Sequence, residues 1–368
     1  MKTIGVATVI NNVNDYERYP PFLEKLSKVF ELHIFFFRGS PQKKSTLIYH
    51  KVPYKGSLNI INIVKIVKII LPLIKRENIE VLYILDGIFY ELLGYMISRK
   101  LRIPFILRLR TNEYKVRLLK DNIVKTSVWK VLHDFVLKNT DGISCISHEL
   151  CHYARSITKT AIIKLIYHGV DVNIFKPFHT KSSTIIINVL KKRPLTNIKD
   201  IVLVVSGLQK IKGAEILIKV AKMLPHINFL VIGQAERKYI TKNLPPNIHY
   251  IGRVTRDTMP LLYNLAKLTF MPSLTEGLPD TILESFACMT PVYASPVGEI
   301  PYVVNESVGW LIKRYNAEAV ASELKDILSH DEELYIKGKN ARDLVKRKFK
   351  WEHYVENTKE LIETVLRK

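Results

Sequence analysis

Acidic residues are scarce in this chain. Against 56 Lys and Arg there are 34 Asp and Glu, a formal net charge of +22 over 368 residues. Such a surface attracts polyanions, and nucleic acid, anionic lipid and phosphorylated small molecules all qualify. No zinc-finger spacing, aromatic RNA-binding motif or arginine-rich tail occurs, so a specific nucleic-acid partner finds no support in the residues. Cysteine is scarcer still. Cys145, Cys151 and Cys288 are odd in number and lack metal-ligand spacing, which predicts buried free thiols in a reducing, cytoplasmic setting. No run reaches the roughly 18 apolar residues of a membrane span. The opening MKTIGVATVINNVND has too short an apolar stretch for a signal peptide and reads as a first β-strand.

What is present points to a layered α/β protein. Apolar residues make up 47% and charged ones 24%, a globular balance, and the length exceeds what one core usually fills. Strand-like apolar runs at 4–10, 32–37, 81–85, 105–109, 143–146 and 162–166 alternate with helix-length segments at 21–30, 58–75, 90–100 and 124–137. Continuous apolar strands between helices are the pattern of a parallel sheet covered on both faces. The alternation stops after Phe175-Lys176-Pro177, and residues 178–200 read as a polar, basic connection. It restarts with runs at 201–205, 228–232, 248–251, 268–271 and 291–294. The fold expected is two doubly wound Rossmann-like domains facing across a cleft: 1–178, 198–350, and a last helix 351–368 crossing back to the first domain. Ligands of such sheets bind at the carboxyl ends of the strands.

Residues 58–75, LNIINIVKIVKIILPLIK, are apolar around most of a helical circumference, with Asn59, Asn62, Lys65 and Lys68 as a narrow polar stripe. One reading packs this helix against the sheet. The other lays it in an anionic membrane interface with its lysines at headgroup level.

The segment PSLTEGLPDTILESFACMTPV (272–292) places Glu276 and Glu284 on either side of a Gly-Leu-Pro-Asp turn. A helix beginning near Thr281, with Asp280 as N-cap, offers unpaired N–H groups and a positive dipole end to a phosphate. Gly277 lets the backbone approach a ligand closely. Glu284, one turn inside, points back toward the helix mouth. A carboxylate there suits a neutral diol such as a ribose. Either glutamate alone reads as a solvated surface residue.

These letters resemble the E-x7-E run of retaining GT-B glycosyltransferases of the group 1 (family 4) type, with Ser285 and Met289 where Ala and Gly are common. Four further segments fall in the order this family shows: YHGVDVNIFKP (167–177), SGLQKIKG (206–213), NIHYIGRV (247–254) and FKWEHYVENTKELIE (349–363). Over residues 1–159 the resemblance rests on strand–helix order alone. It implies a nucleotide diphosphate sugar as donor and a glycan or lipid-linked acceptor, with no cofactor and no metal. In that scheme Glu276 orients the sugar and Glu284 holds the ribose. Lys212 takes the diphosphate, and backbone groups at Leu278, Thr281 and Ile282 complete the phosphate cradle. Arg253 follows the strand-turn that flanks the base.

Departures from the pattern bear on the site. The family's phosphate-binding arginine falls on Gly207, leaving Lys212, with Lys210 two residues away as the substitute. The glycine-rich loop after the first strand is replaced by INNVNDYERYPP, where Asn11 and Asn12 are the candidate donors. Arg110 stands where many relatives carry a histidine, and an arginine cannot act as a base near neutral pH. The nearest approach to a D-x-D metal motif, Asp15-Tyr16-Glu17, reads as a turn. Two rival readings remain: an epimerase or phosphorylase on the same fold, and a non-catalytic polyanion binder. The basic charge adds an anionic membrane surface to the candidate partners, with the protein on the inner face of the membrane.

Overall fold

The computed structural model describes residues 4–12, 22–41, 46–85, 87–110, 114, 117–118, 123–178, 200–240 and 244–368, the side chains of residues 11, 12 and 22 excepted. Asp15-Tyr16-Glu17 and most of the expected connection, 179–199, lie outside the described residues. The chain forms two compact units, Met1–Tyr167 with Trp351–Lys368, and His168–Lys350.

The first unit is built on seven parallel strands: β1 (Gly5–Asn12), β2 (Glu31–Arg38), β3 (Ile48–Lys51), β4 (Val81–Ile84), β5 (Phe105–Leu109), β6 (Gly142–Cys145) and β7 (Ile162–Leu165). Their order in the sheet is β3-β2-β1-β4-β5-β6-β7. β4, β5 and β6 are buried at every position, as a sheet covered on both faces requires. One face packs on the last helix, Trp351–Arg367, whose Trp351, Tyr354, Leu361, Ile362 and Val365 join Val6, Ile34, Val81 and Ile106 in one core. Inside that core the Tyr83 hydroxyl meets those of Tyr354 at 3.1 Å and Ser144 at 3.2 Å. The Arg108 guanidinium lies 4.6 Å from the Tyr354 ring centroid.

The segment at 58–75 divides into a 3₁₀ turn, Ile60–Asn62, capped by the Asn59 side chain, and an α-helix, Ile63–Arg76. The helix buries Ile63, Ile66, Val67, Ile70 and Ile74 and exposes Lys65, Lys68, Lys75 and Arg76. The apolar face is buried, as the packing reading expects, and the basic side chains face solvent. The two asparagines belong to the turn, not to the helical stripe.

The second unit carries β8 (Ile201–Val204), β9 (Asn228–Ile232), β10 (Ile248–Gly252), β11 (Leu268–Met271), β12 (Val292–Ala294) and β13 (Gly309–Leu311), in the order β10-β9-β8-β11-β12-β13. Every pairing is parallel. Counted from β8, this is the 3-2-1-4-5-6 order of doubly wound sheets, whose direction of winding reverses between the first and fourth strands. Here that switch point lies between β8 and β11. The segments that follow these two strands, 205–213 and 272–279, are the ones the sequence singles out.

The edge strands β3 and β13 went unrecognised in the sequence. They have four and three residues and are only partly buried, so neither shows the apolar run of an interior strand.

Candidate active site

The loops after β8 and β11 are tied together by their backbones. Leu274 N–H donates to the Ile211 carbonyl at 2.9 Å, and the Tyr315 hydroxyl holds the Pro272 carbonyl at 2.5 Å. Gly213 has φ +78°, and a Cβ there would lie 1.9 Å from the Pro272 carbonyl oxygen. Only glycine allows this approach, which brings Lys212 beside the β11 loop.

Lys212 Nζ donates to Glu276 Oε1 at 2.6 Å, and the Ser273 hydroxyl donates to the same oxygen at 2.7 Å. The Glu276 side chain is 9% exposed and that of Lys212 29%. Among the described residues Glu276 Oε2 makes no hydrogen bond. The two residues expected on sugar and diphosphate therefore form an ion pair, with one carboxylate oxygen unengaged among the described residues.

The helix after the loop runs Asp280–Ala287. Asp280 is not its N-cap. Pro279 occupies that position in an extended conformation (φ −71°, ψ 128°), and no side chain caps the helix. Its φ suits helix and extended chain alike, and it is the extended ψ that leaves Pro279 outside the first turn. Asp280 begins the helix instead, half-exposed, with Oδ1 3.8 Å from His168 Nε2. The expected cradle is smaller by one member, since Ile282 N–H donates to the Pro279 carbonyl at 3.1 Å. Among the described residues, the amides of Gly277, Leu278 and Thr281 make no hydrogen bond. The Gly277 carbonyl accepts from Glu299 N–H at 3.0 Å.

Glu284 sits one turn into this helix, almost wholly buried. Its Oε2 accepts from the Tyr263 hydroxyl at 3.0 Å, and its Oε1 lies 3.5 Å from Arg256. Burial, reinforced by the Asp280 charge one turn away, pushes its carboxyl up to about 7, against the opposing pull of Arg256 and the Tyr263 hydrogen bond. The same burial and the neighbouring carboxyl push Tyr263 well above the usual phenol range. Near neutral pH this carboxyl is thus close to half protonated. It can both donate and accept, which a diol requires and a diphosphate tolerates.

Neither Tyr263 nor Arg256 was singled out in the sequence. Tyr263 lies on the helix Met259–Leu265, where an aromatic reads as core, and only the fold brings it to Glu284.

The remaining candidates fall in three places. Arg253 lines a pocket of about 430 Å³ with Gln209, Gly233, Gln234, Ala235, Glu236 and Tyr250, at the carboxyl ends of β8, β9 and β10. Lys210 does not join Lys212. It lines a separate pocket of about 310 Å³ with Glu215, Lys219 and Tyr315, while its amide donates to Glu236 at 2.8 Å. Arg110 belongs to the first unit, half-buried at the end of β5. Asn12 ends β1, paired in register with Arg38, and its side chain is outside the described residues, as is that of Asn11.

Gly207 explains its own departure from the pattern. Its φ is +68°, and a Cβ would stand 1.9 Å from the Gln234 carbonyl oxygen. That backbone cannot carry an arginine without moving, so the positive charge on this loop comes from Lys210 and Lys212 alone.

Residues 188–344 match the model of the family described as Glycosyl transferases group 1. An uncharacterised glycosyltransferase of Methanocaldococcus jannaschii is 26% identical over 351 residues, covering 93% of this chain and 92% of that protein. Among solved structures, sucrose-phosphate synthase of Thermosynechococcus elongatus superposes with a TM-score of 0.82 at 18% identity, over 99% of both chains. Anabaena HepE, solved in complex with UDP and glucose, gives 0.75 at 16% identity, over 98% of this chain and 99% of that one. The match to the group 1 glycosyltransferase family thus spans residues 188–344, and the two parallel-sheet units have the GT-B fold.

Proposed function

We propose that this protein is a retaining glycosyltransferase that moves a sugar from a nucleoside diphosphate sugar to an acceptor hydroxyl without a metal at the donor site. The observation that carries the proposal is the Lys212–Glu276 pair beside the unengaged amides at the start of the helix Asp280–Ala287, with Glu284 one turn inside. In this reading the donor diphosphate takes Lys212 from Glu276 and lies against the amides of Leu278 and Thr281. Fixed positive charge then stands where negative charge develops as the bond from the anomeric carbon to the phosphate oxygen breaks.

Released from Lys212, Glu276 accepts hydrogen bonds from the sugar and faces the oxocarbenium-like centre. The acceptor oxygen attacks on the face the diphosphate leaves, and its proton passes to a phosphate oxygen. The new bond therefore keeps the old configuration. The half-protonated Glu284 holds the ribose diol without repelling the diphosphate. The pocket of Gln209, Gln234, Tyr250 and Arg253 receives the base through its amides and the tyrosine ring.

The bound UDP of the Anabaena relative makes UDP-sugars the first donors to try. A panel of nucleotide sugars, assayed for released nucleoside diphosphate and for the anomeric coupling of the product by NMR, tests the proposal. Release of nucleoside diphosphate with an unchanged anomeric configuration supports it. Sugar phosphate formed only with added inorganic phosphate would point to a phosphorylase, and an inverted product would remove the retaining mechanism.

A lipid-linked acceptor at an anionic membrane surface completes the proposal. In the first unit the helices Ile63–Arg76, Ile88–Leu101 and Ile123–Lys138 pack side by side in that order. Their fully exposed positions include seven Lys or Arg and no acidic residue: Lys65, Lys68, Lys75, Arg76, Arg99, Lys100 and Lys125, with Lys138 as an eighth at the end of the third helix. On that third helix Val124, Val128, Val131 and Phe135 recur at helical spacing and are 45–69% exposed. Basic side chains around an exposed apolar stripe suit an anionic lipid interface.

A further inference from the structure

In the first unit, among residues that take no part in the proposed donor site, two histidines and a glutamate converge. His33 lies on β2, His50 on the edge strand β3, and Glu77 directly follows the helix Ile63–Arg76. His33 Nδ1 and His50 Nε2 stand 2.9 Å apart, with their rings parallel to within 7°. Glu77 Oε2 is 3.9 Å from that same His33 nitrogen. One ligand atom from each of the three residues lies within 4.8 Å of the others.

The outward nitrogens are equally well placed. His33 Nε2 faces Glu31 Oε1 at 3.4 Å, and His50 Nδ1 faces Glu77 Oε1 at 3.7 Å. A carboxylate on the outer side of each imidazole favours a proton on that outer nitrogen and leaves the inner nitrogens facing one another, the arrangement that orients histidines on a metal. At 2.9 Å the two inner nitrogens are held together either by a shared proton or by a metal ion as the positive centre between them. The His33 side chain is only 2% exposed, so water does not take that place from its side.

We propose that His33, His50 and Glu77 form a binding site for one divalent transition-metal ion, zinc in the first instance. Two imidazoles and one carboxylate suit zinc and its neighbours and not calcium or magnesium, which take oxygen donors. A tetrahedral zinc with bonds of about 2.05 Å holds two nitrogens about 3.3 Å apart, so the pair has to open by only about 0.4 Å. His50 and Glu77 are 17% and 33% exposed, which leaves an approach for the ion and for a water as fourth ligand. The Phe35 ring, stacked on His50 at 4.6 Å, limits the motion of that imidazole.

The role is structural. β3 is an edge strand of four residues, paired among the described residues with β2 alone. The ion clamps it, together with the end of the helix Ile63–Arg76, to the interior of the sheet. The site does not depend on the proposed sugar transfer.

The test is calorimetric titration of Zn²⁺ alone into the full chain after chelator treatment, with Co²⁺ absorption as the spectroscopic readout. The wild type is expected to bind one equivalent, give visible tetrahedral cobalt bands and melt at a higher temperature with zinc present. His50→Gln and Glu77→Gln, both at partly exposed positions and checked for folding by circular dichroism, are each expected to lose at least tenfold in affinity and the zinc-dependent rise in melting temperature. A wild-type chain that takes up no zinc, or two variants that bind it as tightly as the wild type, overturns the assignment and leaves the histidines sharing a proton.

Discussion

Glu284→Gln separates the electrostatic state of the buried carboxyl from its shape. In the folded protein this carboxyl titrates at about 7, against 4.5 for an unperturbed glutamate, chiefly because burial disfavours the charged form. A raised folded-state value means that the native chain holds a proton the unfolded chain has already lost. Stability from this group is therefore complete below pH 4.5 and is lost as the pH rises to about 7. At roughly 1.4 kcal/mol per unit the loss is on the order of 3 kcal/mol. Glutamine has nearly the same shape, keeps an acceptor for Tyr263 and never ionises. The variant should match the wild type near pH 4.5 and exceed it by about 2 to 3 kcal/mol at pH 8. Urea melts of both proteins from pH 4.5 to 8 measure this difference, in which the other titrating groups cancel. A variant less stable than the wild type at pH 8 would show that Arg256 and Tyr263 hold the carboxylate ionised, and the argument from burial would fail.

Lys212→Ala should lower turnover by about 100- to 1,000-fold, as expected for removing a charge from a leaving group, while Lys210→Ala stays within about tenfold of the wild type. Steady-state kinetics with the donor found in the nucleotide-sugar panel compares them, and equal losses would contradict the separate placement of the two lysines. Gly207→Ala should cost at least about 2 kcal/mol in a denaturant melt, because the residue is left-handed and its Cβ meets the Gln234 carbonyl. An unchanged midpoint would refute that constraint. Vesicles rich in anionic lipid should carry the protein upward in a flotation gradient at low salt and release most of it at high salt. No flotation at low salt would remove the membrane surface from the proposal.

Much of the fold was legible because interior parallel strands must be apolar throughout. β5, β9 and β11 have the bounds the apolar runs indicate, 105–109, 228–232 and 268–271. Two of the four edge strands were not legible: Ile48–Lys51 reads Ile-Tyr-His-Lys, and Gly309–Leu311 has three residues, too short and too little buried to show an apolar run. The pairing of Lys212 with Glu276 was not legible either. It joins residues 64 apart through the close approach at Gly213, and no spacing rule records it. The N-cap was assigned to Asp280 because capping preference ranks aspartate above proline, yet the extended residue before the helix is Pro279 and Asp280 is already its first turn. Tyr263, Arg256 and the histidine pair were missed for a common reason: each acquires its chemistry from a partner distant in sequence.

The division of labour between the two glutamates is the centre of this account. Calorimetry with the nucleoside diphosphate, paired with turnover of the intact donor, tests it on Glu276→Ala and Glu284→Ala. Glu284→Ala should weaken nucleotide binding by about 1.5 to 3 kcal/mol, roughly 10- to 150-fold. Glu276→Ala should bind the nucleotide about as well as the wild type and lose at least about 100-fold in kcat, because its carboxylate acts on charge that develops only during reaction. If Glu276→Ala instead loses the nucleotide while Glu284→Ala binds it normally, the roles of the two residues are reversed and the proposed donor geometry is wrong.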